Sequence, residues 1–212
     1  MTEIIDPTLN SIVQKLKTDY RCHTIVLYGS RARGLTTSTS DYDVIGVRLR
    51  GPKTRIAKKL KGNYWDVFIY SEKDLHKLGD QNLSWKNARV LYEEGRYGRD
   101  LVARIQKLLK KPYPPQPQYE IDATKAWAQK ELDRCRIGDI QSLYRRAEFQ
   151  TALIEHYFFI RQKRFWGPKE SFAWVKEHDP KTFTLIQRTL KYPTNLSFLK
   201  AAGARVYKVS LA

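Results

Sequence analysis

Four prolines in eight residues, Lys111-Pro-Tyr-Pro-Pro-Gln-Pro-Gln118, constrain this chain more than any other feature. Proline has no amide donor and fixes its own φ, so neither a helix nor a central strand runs through such a stretch. It reads as a semi-rigid, extended linker. The apolar pattern changes across it. Short apolar runs alternate with helical segments on the N-terminal side, whereas helical periodicity dominates on the C-terminal side. The expected organisation is one domain over residues 1–111, a linker over 112–118 and a second domain over 119–212. No internal repeat is visible.

Within the first domain, Leu9, Ile12, Val13 and Leu16 fall at helical spacing, with Thr8 placed to cap the helix. Cys22-His-Thr-Ile-Val-Leu-Tyr28 reads as a buried strand. A Gly/Arg-rich turn follows (Gly29-Ser-Arg-Ala-Arg-Gly34), then a Ser/Thr-rich loop to Ser40, then a second strand from Asp41 to Leu49. A basic stretch from Gly51 to Gly62 leads to a third strand, Tyr64 to Tyr70. Glu72 to Leu78 reads as a short helix, Ala88 to Tyr92 as a strand and Asp100 to Lys110 as a helix. Past the linker, 120–136, 139–163, 171–178 and 180–191 read as helices, and only Val206–Val209 suggests a further strand. The fold class is α+β: a mixed sheet with flanking helices, followed by an all-α helical bundle.

The charge balance narrows the partners. Lys plus Arg outnumber Asp plus Glu by 39 to 22, a net charge of +17 spread over both domains rather than gathered in a tail. A field of that sign attracts polyanions and repels polycations. The run Arg55, Lys58, Lys59 and Lys61 reads as a solvated loop, with a tracked phosphate backbone as its functional alternative. No apolar run reaches the roughly 18 residues of a membrane span, and the first residues lack the pattern of a secretory signal. The two cysteines, Cys22 and Cys135, form no CxxC pair or Cys/His cluster, so neither zinc nor a disulfide framework is expected. A reducing, cytoplasmic home fits.

One constellation carries chemistry. Gly29 and Ser30 follow directly on an apolar strand, and a glycine there lets backbone approach phosphate oxygens closely. A helix beginning at this turn would add free amides, Ser30 a hydroxyl, and Arg31 and Arg33 charge-assisted bonds. Asp41 and Asp43 begin the next strand. At i, i+2 both carboxylates point to one face. Hard divalent ions such as magnesium take carboxylate and phosphate oxygens. Asp66 is the only charged residue in Tyr64–Tyr70. A charge in an apolar strand needs a metal or a partner, so Asp66 is either a third metal-site carboxylate or the partner of a nearby arginine.

Gly29-Ser30, ten residues, then Asp41-Tyr42-Asp43 resembles the signature of DNA polymerase β-like nucleotidyltransferases. The form Tyr-Gly-Ser-Arg-Ala-Arg-Gly is similar to the minimal, kanamycin nucleotidyltransferase-like branch. The resemblance implies a polymerase β-like catalytic domain that binds a nucleoside triphosphate such as ATP through Gly29 and Ser30. It implies two magnesium ions, with Asp41 and Asp43 as metal ligands. Asp66 is then the third carboxylate, binding the second ion or activating the acceptor. In kanamycin-type relatives a bundle glutamate acts as general base. Glu148 or Glu155 fits that role, Glu148 being favoured, and pairing with Arg145, Arg146 or Arg161 is the alternative. His156 reads as a hydrogen-bonded filler, and the aromatic series from Tyr157 to Trp174 as bundle core.

The expected activity is transfer of a nucleoside monophosphate from a triphosphate to an acceptor hydroxyl, with release of pyrophosphate. The net charge favours a polyanionic acceptor such as RNA or tRNA over a polycationic aminoglycoside, and a protein acceptor stays open. An inactive nucleotide- or RNA-binding regulatory module is the alternative from another class.

Overall fold

The computed structural model describes residues 6–37, 39–60, 62–136 and 138–208. The chain forms two compact units, Met1–Pro112 and Tyr113–Ala212. Among the described residues no helix is long and apolar enough to cross a membrane.

The first unit opens with α1 (Pro7–Thr18), which buries Leu9, Ile12, Val13 and Leu16. Its cap is Asp6, not Thr8: the Asp6 carboxylate accepts the amides of Thr8 at 2.9 Å and Leu9 at 3.1 Å. Pro7 explains the shift. Its fixed φ and missing N–H suit the first helical position, which moves the cap one residue upstream of it. The other carboxylate oxygen of Asp6 accepts the Tyr42 hydroxyl at 2.8 Å, tying the start of α1 to the sheet.

The sheet contains β1 (Thr24–Leu27), β2 (Tyr42–Arg48), β3 (Thr54–Leu60), β4 (Asn63–Ser71) and β5 (Arg89–Glu93), in the order β3-β4-β2-β1-β5. β2 and β4 run parallel, and every other pairing is antiparallel. The one-turn helix α2 (Gly29–Ala32) joins β1 to the loop before β2, and α3 (Tyr97–Leu109) follows β5. One sheet face packs on α1 through Ile25, Leu27, Val44, Trp65, Val67 and Ile69. The other packs Val26, Ile45 and Val47 against Leu101 and Ile105 of α3, with Leu75 and Trp85. The expected helix over Glu72–Leu78 is a 3-10 turn, Lys73–Leu75.

The stretch from Gly51 to Gly62 differs from expectation. Residues 54–60 are strand β3, paired antiparallel with β4, and not a solvated loop. β3 is an edge strand with one partner, and of its residues only Thr54 and Ile56 are withdrawn from solvent, so it lacks the apolar alternation that marks a strand. Lys61 lies outside the described residues.

The second unit is helical: α4 (Gln118–Arg134), α5 (Ile140–Ile160), α6 (Pro168–His178), α7 (Pro180–Lys191) and α8 (Leu196–Tyr207). Its core gathers Leu132, Phe149, Leu153, Val175, Ile186, Leu199, Val206 and Tyr207. Glu131, 2% exposed, accepts Arg134 at 3.1 Å and Arg145 at 2.9 Å, fastening α4 to α5. α5 is not buried all round, since Leu143 and Tyr144 face solvent. The strand expected at Val206–Val209 is instead the end of α8. Asn195 caps that helix by accepting the Phe198 amide, and Leu199, Ala202 and Val206 repeat at helical spacing. Val209 lies outside the described residues.

Asp6 holds both the α1 cap and Tyr42. Asp6→Ala is expected to lower stability by about 1–2 kcal/mol, with a smaller loss for Asp6→Asn, which keeps an acceptor. Urea unfolding midpoints of the three proteins check this, and equal losses in both variants would contradict the capping role.

Candidate active site

The site is built at the edge of the sheet where β1 ends and β2 and β4 begin. The Tyr28 amide donates to the Asp43 carbonyl at 3.0 Å, extending the β1–β2 pairing up to the turn. Gly29 follows at φ +71°, a left-handed conformation that glycine adopts readily. A Cβ added there would stand 2.1 Å from Asp43 Oδ2. A side chain there would be strained at that φ and would have to displace the Asp43 carboxylate. α2 is a single turn of four residues, which limits the helix dipole expected at Ser30 to a few amides.

Asp43 and Asp66 are register partners on the parallel strands β2 and β4, so their side chains stand next to each other on one face. Asp41 is exposed just ahead of β2. Asp43 is half-buried. Burial first, and then the charges of Asp41 and Asp66, push its carboxyl up from 3.8 to about 6, with Arg31 opposing. Asp43 thus senses both of the other carboxylates expected from the sequence.

Asp66 is not free. Arg55 of β3 donates Nε to its Oδ1 at 2.8 Å and Nη2 to its Oδ2 at 2.9 Å, a fork-on-carboxylate pair. Among the described residues no three His, Cys, Asp or Glu side chains are gathered into a ready-made metal cage. The donor chemistry still suits a hard cation. The carboxylates supply only oxygen, and the charges of Asp41 and Asp66 that disfavour an ionised Asp43 are a repulsion that a divalent ion relieves. Asp41 and Asp43 can hold such an ion together with phosphate oxygens. Asp66 can join only once Arg55 turns away.

Arg31 is committed locally. Its Nε donates to the Asp41 carbonyl at 3.0 Å, its Nη2 donates to the Ser40 carbonyl at 2.8 Å, and its guanidinium lies 3.7 Å from the Tyr42 ring centre. It positions the backbone that presents Asp41. Arg33, half-buried, closes α2 by donating its amide to the Ser30 carbonyl at 3.2 Å.

Two residues of the site escaped the sequence reading. Tyr28 is held largely neutral by burial and by the nearby charges of Asp43 and Asp66. Its position directly before Gly29 was the available signal. Arg55 was hidden because β3 was not recognised. With the β3–β4 hairpin in hand, its position one diagonal step from Asp66 follows from the register.

In the helical unit, Glu148 and Glu155 are both exposed on α5. Glu148 lines an open groove of about 410 Å³ with Trp127, Ala152 and His156. His156 Nδ1 lies 2.8 Å from the Tyr207 hydroxyl, the hydrogen-bonded filler that was expected. Arg145 binds Glu131, Arg146 binds the Cys135 and Thr194 carbonyls, and Arg161 binds the Tyr157, Arg205 and Val206 carbonyls. Of the suggested pairings with Glu148 or Glu155, the charge of Glu148 acts on Arg145, behind its stronger bond to Glu131.

A family profile described as a nucleotidyltransferase domain matches residues 9–115, half of the chain, and the chain belongs to that family. No curated protein matches the sequence. Among solved structures, a nucleotidyltransferase-like protein from Exiguobacterium sibiricum 255-15 is similar, with 13% identity over 94% of this chain and 74% of that one and a TM-score of 0.42. A likeness that low says nothing about the site.

Asp43 gives a pH test. Its folded pKa lies above the unfolded value, so the fold favours the protonated form. The group's contribution to stability is fullest below pH 4 and is lost as pH rises through about 6. The shift corresponds to about 3 kcal/mol at most, reduced by solvent screening at a half-exposed side chain to about 1–2 kcal/mol. Asp43→Asn, which cannot ionise, should therefore be more stable than the parent at pH 8 in EDTA and nearly equal to it at pH 4. Thermal melts at the two pH values check this, and a difference independent of pH would contradict it.

Proposed function

We propose that this protein transfers a nucleoside monophosphate from a nucleoside triphosphate to an acceptor hydroxyl. The observation that carries this reading is the in-register pair Asp43–Asp66 packed beside a glycine turn where a Cβ would have to displace the Asp43 carboxylate. Asp41 and Asp43 would hold magnesium together with the triphosphate, and Asp66 would complete the set for a second ion. Magnesium bound there neutralises phosphate charge and lowers the pKa of the acceptor hydroxyl. Gly29 lets backbone reach the phosphates, Ser30 offers its hydroxyl, and Arg33 is a candidate phosphate contact. Arg31 keeps the Asp41 backbone in place.

In the transfer step the acceptor oxygen bonds to the α-phosphorus. The bond from that phosphorus to the bridging α–β oxygen breaks, and pyrophosphate leaves with the electron pair. Asp66 takes the hydroxyl proton on a carboxylate oxygen, with Glu148 of α5 as the second candidate for that proton. The net charge of +17 supports a polyanionic acceptor such as RNA or tRNA over a polycationic aminoglycoside. A protein hydroxyl is the other acceptor compatible with the site chemistry.

The Arg55–Asp66 pair favours a second reading, in which the chain grips a nucleotide or RNA without transfer and keeps Asp66 as a structural ion-pair partner. Incubation with α-labelled triphosphates, magnesium and cell extract separates the two. Label should pass to an acceptor, Asp41→Ala and Asp43→Ala should each reduce transfer at least 100-fold while circular dichroism stays unchanged, and EDTA should abolish it. Undiminished transfer in either variant would remove these carboxylates from the mechanism, and nucleotide binding without any transfer would establish the second reading. Asp66→Asn and Glu148→Gln compared over a pH–rate profile identify the proton acceptor, since only its loss removes the acidic limb, the fall in rate as that base becomes protonated.

A further inference from the structure

The β3–β4 hairpin has two unlike faces. One is buried on α1, where Trp65, Val67 and Ile69 pack with Ile56 against them. The other carries Asp66 and, in line with it, Tyr64 and Phe68 of β4. Cations from the β3 side stand over those rings. Lys59 Nζ is 5.0 Å from the Tyr64 ring centre, the Arg55 guanidinium 4.8 Å from that of Phe68, and Lys53 Nζ 5.8 Å from it. Tyr64 is 49% exposed, and Lys53, Arg55 and Lys59 are all exposed.

Lysines on an edge strand also guard against unwanted strand pairing. That role is met by charge anywhere along the edge. It gives no reason for rings and cations to alternate on the face that holds Asp66, nor for Tyr64 to stay half in solvent. Rings that can stack bases, interleaved with cations that can meet phosphates, match a single-stranded nucleic acid. A duplex offers phosphates but keeps its bases stacked inside, leaving the rings without a partner. From Tyr64 to Phe68 the strand rises roughly 13 Å, space for a few nucleotides.

We propose that the Lys53, Arg55, Lys59, Tyr64 and Phe68 face of the β3–β4 hairpin, which flanks Asp66 on both sides, binds single-stranded nucleic acid. The binding does not rest on the transfer reading above.

The test is fluorescence anisotropy of a labelled 12-nucleotide RNA with the full chain, without triphosphate, over a salt series. The wild type should bind, with affinity falling steeply as salt rises. Lys53→Ala/Lys59→Ala should weaken binding at least tenfold at low salt and reduce the logarithmic salt slope by about 1.4, for two phosphate contacts on a single strand. Tyr64→Ala should weaken binding about fivefold or more with the slope unchanged, as loss of stacking requires. Lys107→Ala/Lys110→Ala, the same charge change at exposed positions at the end of α3, which packs on β5 at the opposite edge of the sheet, should leave affinity within twofold. No wild-type binding, equal weakening by both lysine pairs, or equal affinity for a duplex or for polyglutamate would overturn the proposal. Binding lost in the hairpin variants with no labelled transfer by the wild type would sink the transfer reading alone. Transfer to RNA with hairpin variants binding normally would sink the surface alone.

Discussion

The pairing of β2 with both of its neighbours is the constraint on which the site depends. Antiparallel pairing with β1 ends at the Tyr28 amide on the Asp43 carbonyl, which brings the Gly29 backbone against the Asp43 carboxylate. Parallel pairing with β4 puts Asp66 beside Asp43 on the same face. A slip of one residue in the second pairing would turn Asp66 into the α1-side core and leave Asp43 facing an apolar side chain. The register is held by burial. Val44, Ile45 and Val47 are shut away on alternating faces, between α1 on one side and α3 on the other.

That frame holds an unfavourable charge arrangement. Asp43 is half-buried beside two other carboxylates whose charges disfavour its ionised form, and the charge of Arg31 only partly opposes them. Asp66 has its compensation in Arg55, across the hairpin. The asymmetry separates the roles. Asp43 is left in a state that a divalent cation would relieve, whereas Asp66 is satisfied already and must give up a partner to take another. Around them, Asp6, Tyr42 and Arg31 form a chain of contacts from the α1 cap to the Asp41 backbone, so the loop presenting Asp41 is tied at both ends.

What could be read from the sequence was what is local. The buried strands announced themselves as apolar runs, and the Gly-Ser turn lies against the second of the two aspartates that follow it, as β1–β2 pairing requires. What escaped depends on partners distant in sequence. β3 is basic, exposed and paired on one edge only, so no periodicity betrays it. With β3 lost, the Arg55–Asp66 pair and the register that sets it were lost too. α8 was hidden by Val206, a residue that favours strands but here shares a helical stripe with Leu199 and Ala202, and the α1 cap was displaced by a proline whose effect reaches one residue upstream.

The same non-local step changes the meaning of the chain's positive charge. As a linear run, Arg55, Lys58 and Lys59 are interchangeable cations in solvent. Folded into β3 they divide. Lys58 lies over Trp65 on the core side, while Arg55 and Lys59 face the carboxylates and stand over rings. An excess of +17 spread evenly would draw any polyanion to any part of the surface. A row of cations in register with aromatic side chains, flanking Asp66 on both sides, gives that attraction a place on the surface. Between diffuse charge and an ordered row, only the second distinguishes a strand with accessible bases from other polyanions.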